Sequence, residues 1–65
     1  MTPKKTLRQR ELELRSRYAT ATGLAELNEL AARYAATGGG VRPEGRSLIT
    51  YILVYERVHG LIAAE

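Results

Sequence analysis

Four cationic side chains near the start of the chain have the types and spacing that best suit contact with an anion. Elsewhere, Glu residues stand four positions before Arg residues, as at Glu11 and Arg15, so that the two charges neutralise each other on a helix. The four N-terminal cations have no Glu at that spacing, and the helix dipole disfavours cations in a first turn. We therefore expect them to contact the phosphate backbone of a nucleic acid without reading its base sequence. They are Lys4, Lys5, Arg8 and Arg10.

A second candidate anion site is the segment from Gly40 to Ser47, which reads G-x-x-x-x-G-R-S. The glycine spacing matches the nucleotide-binding phosphate loop, but Arg replaces its lysine. That loop also needs a preceding strand and magnesium ligands, whereas the pattern before Gly40 is helical and the chain has no Asp. Nucleotide hydrolysis is not predicted. A weaker anion site remains, formed by Arg42, Arg46 and backbone N–H groups at the start of a helix; the alternative is an exposed, flexible loop.

Side chains that commonly carry catalysis or bind metals are scarce. The chain has no Cys, no Asp and a single histidine, His59, which is interpreted as a helix-end imidazole. One His with Glu as the only other ionised ligand type does not make a zinc site within one chain. Ser47 has no activating base nearby and is interpreted as a helix cap, and the four Tyr residues as core or interface rings. We expect no enzymatic activity, no cofactor and no metal site.

Three helices must position these residues, and they predict an all-α fold. The first spans about 6–21 and begins with the capping box Thr6-Leu-Arg-Gln9. The second spans about 24–37, with Gly23 as its cap and Gly38 just after its end. A Gly-rich connector at 38–45 leads to a third helix at about 46–60. Residues 48–55 have high strand propensity, but their 4-3-4-3 apolar spacing favours the helix.

The third helix carries more apolar surface than two thin helices can cover. Ten of the fifteen residues at 48–62, in this helix and just after it, are large and apolar, which predicts self-association as a dimer or higher oligomer. The predicted interface consists of Ile49, Leu53, Val54 and Leu61. The predicted core consists of Leu27, Leu30, Tyr34, Leu48, Ile52, Tyr55 and Val58.

Length and charge restrict the function classes. Sixty-five residues make one small domain, with a basic segment at 1–17 and a formal net charge of +3. Residues 1–23 carry six cations against two carboxylates, whereas the rest carry four against five. No apolar run is long enough for a membrane span or a secretory signal, so a cytoplasmic location is expected. Two functions follow: an oligomeric helical protein that binds the backbone of DNA or RNA, or a protein-interaction module whose charge is incidental.

Overall fold

A computed structural model describes residues 4–44 and 47–63 and shows three helices. Helix α1 spans Leu7–Tyr18, α2 spans Ala21–Tyr34, and α3 spans Ser47–Val58. The predicted all-α fold is confirmed. The segment with high strand propensity lies within α3, because its apolar positions pack against two neighbouring helices and no strand is available among the described residues to pair with it.

The predicted capping box at the start of α1 is present. The Thr6 hydroxyl accepts from the Gln9 N–H at 3.1 Å, and the Gln9 side-chain carbonyl accepts from the Thr6 N–H at 2.9 Å. These two bonds satisfy two backbone donors that the first turn would otherwise leave without partners. Helix α1 therefore begins where the sequence indicated.

The turn between α1 and α2 comes earlier than predicted. Thr20, not Gly23, is the cap of α2, and its hydroxyl accepts from the Gly23 N–H at 2.9 Å. Gly23 lies buried in the first turn of α2, where a Cβ atom would stand 1.9 Å from the Arg17 carbonyl oxygen. The glycine is needed for close approach of the two helices rather than for capping.

The Gly-rich connector reverses the chain after α2. The helix ends in a kinked turn, Ala35–Gly39, in which Thr37 and Gly38 leave the helical conformation. Gly38 and Gly40 have φ values of 101° and 88°, which L side chains rarely adopt. The connector runs back along α2, where the Arg42 guanidinium donates to the Asn28 side-chain carbonyl at 3.0 Å. This return along the helix explains why the connector is longer than a tight turn.

The three helices consequently do not alternate in direction. Helix α1 is antiparallel to α3, because Arg10 near the start of α1 contacts Glu56 near the end of α3. Tyr18, at the other end of α1, lies beside Ile49. Helices α2 and α3 are parallel, and their C-terminal ends lie next to the N-terminal end of α1.

The core lies between all three helices. Most of the predicted core is correct: Leu27, Leu48 and Ile52 are buried, and Leu30, Tyr34 and Tyr55 are half-buried. The prediction that Val58 belongs to the core was wrong, because this residue is 73% exposed. The inward line of α3 runs through Leu48, Ile52 and Glu56, and Val58 lies about 200° around the helix from Glu56. The buried side chains not in the predicted core are Leu14, Ala31, Ile62 and Glu56.

Candidate nucleic-acid interface

The N-terminal segment is held against the end of α3 by backbone and side-chain contacts. The Ala63 N–H donates to the Lys5 carbonyl at 2.8 Å, and Thr6 and Ala63 form a single parallel bridge. The Lys4 ammonium donates to the carbonyl of Gly60. These contacts place residues distant in sequence at one end of the molecule.

A buried ion pair joins α1 to α3 just beneath this end. Arg10 donates from Nε to Oε1 of Glu56 at 2.7 Å and from Nη2 to Oε2 at 2.8 Å. The Tyr34 hydroxyl also donates to Oε2, at 2.6 Å, so the carboxylate binds all three helices. The hydrogen bonds that Arg10 donates to Glu56 raise the pKa of Arg10, and burial together with the bond donated to Glu56 raises the pKa of Tyr34. Glu56 is only 3% exposed, and these three donors compensate for its loss of water.

A second carboxylate, Glu13, accepts from two of the N-terminal cations. Lys5 donates to Glu13 Oε2 at 2.6 Å, and Arg10 donates to the other oxygen. Hydrogen bonds from Lys5 and then Arg10 lower the pKa of Glu13. The carboxylate therefore stays ionised through neutral pH and holds both cations close to α1.

The four predicted phosphate-binding residues therefore have different surroundings. Lys4, Lys5 and Arg8 are exposed, whereas Arg10 is committed to Glu56 and Glu13 inside the protein. The premise that none has a carboxylate partner was wrong for Lys5 and Arg10. Lys4 also lies beside the C-terminal end of α3, where it donates to the carbonyl of Gly60, and the partial negative charge of that helix end favours it. Their nucleic-acid role stays a prediction.

Charge is concentrated at this end of the bundle, which we call the basic end and define as residues 4–13, 33–37 and 55–63. It contains six cations and three carboxylates, whereas the remaining described residues contain three of each. The basic end thus carries the whole net positive charge of the described chain. Five of its cations are exposed: Lys4, Lys5, Arg8, Arg33 and Arg57.

The basic end also contains a stack of three aromatic rings that the sequence reasoning missed. The rings of Tyr34 and Tyr55 lie 3.9 Å apart between centroids at an interplanar angle of 8°. His59 stacks on the other face of Tyr55 at 4.0 Å and 23°. The four-residue spacing of Tyr55 and His59 indicates that the two rings lie on the same face of a helix. Tyr34 comes from another helix, and no sequence pattern connects it to these two rings.

The second predicted anion site is not assembled within the described residues. Arg42 donates to both carbonyl oxygens of Asn28, which fixes the connector on α2. Arg46 lies outside the described residues, so its role stays a prediction.

Among the residues described, no group of His, Asp or Glu has a metal-binding arrangement. Likewise, none of the described helices has the length and apolar character needed to cross a membrane.

The predicted oligomer interface divides into two parts. Ile49 and Leu53 are half-buried and pack against the core in the groove between α1 and α3. Val54 and Leu61 are 54% and 53% exposed. Other parts of the same chain cover much of the apolar surface of α3. Self-association through the apolar side chains that remain exposed stays a prediction.

Comparison of the chain with protein-family models, with curated proteins and with solved structures finds no match.

Proposed function

We propose that this protein binds nucleic acid through the phosphate backbone, with the basic end as its contact surface. The observation that carries the proposal is the segregation of charge: the basic end has three more cations than carboxylates, whereas the rest of the described chain is neutral. A surface of this kind attracts a polyanion at long range and orients the protein toward it. Binding through phosphates alone is independent of base sequence.

Three exposed cations are suited to contact phosphates directly. Arg8, Arg33 and Arg57 form no ion pair with any residue in 4–44 or 47–63, and they come from three different helices. Each guanidinium offers paired donors that fit the oxygens of a phosphate group. Lys4 and Lys5 add positive charge, although each already has one partner within the protein.

A triple variant tests the proposal. The test variant combines Arg8→Gln, Arg33→Gln and Arg57→Gln and removes three charges from the basic end. The control variant combines Arg15→Gln, Arg17→Gln and Arg42→Gln and removes three charges from the rest of the molecule. We expect the wild type to bind labelled DNA or RNA, in fluorescence anisotropy, with the strong salt dependence of phosphate contacts. The first variant should lose most binding and reduce the salt slope by about 2 on a single strand, while the control should do neither.

Circular dichroism of both triple variants checks that the helices persist. Equal loss in the two variants would show that only total charge matters and would contradict a localised surface. No binding by the wild type at low salt would contradict the proposal as a whole.

Protein interaction is the second candidate, and one observation favours it. Val54, Val58 and Leu61 are large, exposed apolar side chains on α3 and the turn that follows, and Val54 and Val58 line the same cleft. Neighbouring exposed apolar side chains can mark a protein-binding surface. Protein interaction replaces nucleic-acid binding as the proposed function if the wild type binds no nucleic acid.

A further inference from the structure

We infer that the imidazole ring of His59 is a stacking platform for one base of a single-stranded nucleic acid, an inference that rests on the proposed function. His59 is exposed, and Tyr55 covers one face of its ring. The accessible part of the ring therefore lies on its other face and its edges. A planar base placed there would extend the column of rings that Tyr34 and Tyr55 begin.

The rings beneath the platform are fixed in position by hydrogen bonds. The Tyr34 hydroxyl is held by Glu56, which Arg10 holds in turn. The Tyr55 hydroxyl lies 2.7 Å from that of Thr37. His59 thus rests on a ring restrained at both its face and its hydroxyl, so little conformational freedom is lost when a further ring stacks on it.

Positive charge stands close to the platform. Lys4 is exposed and donates to the carbonyl of Gly60, the residue that follows His59. A nucleotide whose base stacks on His59 therefore has this ammonium close by for a phosphate group. A stacking ring beside a cation is the combination that single-strand-binding proteins use.

A small cleft lies beside the platform. It has a volume of about 160 Å³, lies between the Ala35–Gly39 turn and α3, and is lined by Gly38, Tyr51, Val58 and His59 among others. Most small-molecule sites have roughly 300 to 1,000 Å³. The cleft is therefore smaller than the sites that hold most free small-molecule ligands.

Single strands are preferred over duplexes for a physical reason. The bases of a duplex are already stacked on each other, so unstacking one costs a few kcal/mol. A single strand can turn a base outward at lower cost, and every base has a face that can stack. The platform therefore adds affinity for single strands, whereas phosphate contacts serve both forms.

The experiment compares wild type, His59→Ala and His59→Phe, which keeps a stacking ring. Anisotropy titrations use a thymine homopolymer, an abasic oligonucleotide of the same length and a duplex. We expect His59→Ala to weaken binding to the homopolymer by about 5- to 150-fold, the range for losing one stacked base. His59→Phe should restore that affinity, and none of the three proteins should differ on the abasic strand or the duplex.

Other outcomes separate this inference from the proposed function. If the wild type binds all three probes and His59→Ala binds them equally well, the platform is refuted and phosphate binding stands. If the wild type binds no probe at low salt, the proposed function itself fails. Thymidine monophosphate serves as a further probe: binding as tight as that of the homopolymer would indicate a free-nucleotide site and overturn the assignment to a strand.

Discussion

Glu56 occupies an inward position of α3 one turn after Ile52, where an apolar side chain would be expected. Its carboxylate is acceptable there only because Arg10 and Tyr34 donate to it. Replacing one partner of such a buried pair leaves an uncompensated charge and costs about 3 to 5 kcal/mol. We expect Arg10→Gln to lower the free energy of unfolding by that amount, measured by urea denaturation followed by circular dichroism.

Arg8→Gln is the matched control for this prediction, since it removes the same charge from the same helix at an exposed position. Its free energy of unfolding should stay within about 0.5 kcal/mol of the wild type. If the two variants were equally stable, the bond between Arg10 and Glu56 would contribute nothing to folding. For the same reason Arg10 is unsuitable for testing nucleic-acid binding.

At the residue scale, the sequence could reveal local relationships and not distant ones. The Thr6 capping box was predictable because its two partners are three positions apart. The Arg10–Glu56 pair was not, because its partners are 46 positions apart and either residue alone resembles a surface charge. Arg10 also pairs with Glu13, a nearby residue that was missed because it follows the arginine by three positions instead of preceding it by four.

At the scale of elements, the approach of α2 to the end of α1 depends on Gly23. Helix propensity alone favours Ala over Gly by about 1 kcal/mol in a helix interior. A Cβ at this position would collide with the backbone of Arg17, which cannot move without opening the turn. We therefore expect Gly23→Ala to lower the melting temperature, although helix propensity alone would predict that this substitution raises it.

Ala25→Gly, at an exposed position of the same helix, is the control and should cost about 0.5 to 1 kcal/mol through propensity alone. Calorimetry of the two variants separates the effects. A stabilised Gly23→Ala protein would show that the turn relaxes and that close approach is not required.

The elements themselves were predictable where periodicity and caps agreed. Helix α3 formed despite its β-branched residues because its apolar side chains recur at helical spacing. The boundary between α1 and α2 shifted because two residues, Thr20 and Gly23, both carry cap signals and the hydroxyl supplies the acceptor. The return path of the connector depends on Arg42 and Asn28, a contact with no sequence signature.

At the scale of the whole molecule, topology decides what the N-terminal cations do. Had α3 run parallel to α1, Lys4 would lie beside an N-terminal helix end, and both helix dipoles would oppose its charge. Because α3 ends beside the start of α1, Lys4 complements a helix C-terminus, and net positive charge still remains at the surface. The proposed polyanion binding therefore uses a charge that also suits the fold, a relation that the linear sequence does not show.

Self-association is the remaining prediction for the whole molecule. Three large apolar side chains of α3 and its following turn are exposed: Val54, Val58 and Leu61. Three side chains supply only part of the roughly 800 Å² that each partner buries in a stable interface, so we expect weak, concentration-dependent association. Val58→Glu should abolish it in sedimentation equilibrium without loss of helicity, whereas Leu12→Glu, at a 63% exposed position on α1, should not. A wild type that remains monomeric at all accessible concentrations would refute association through α3 and would leave the basic end to act as a single copy.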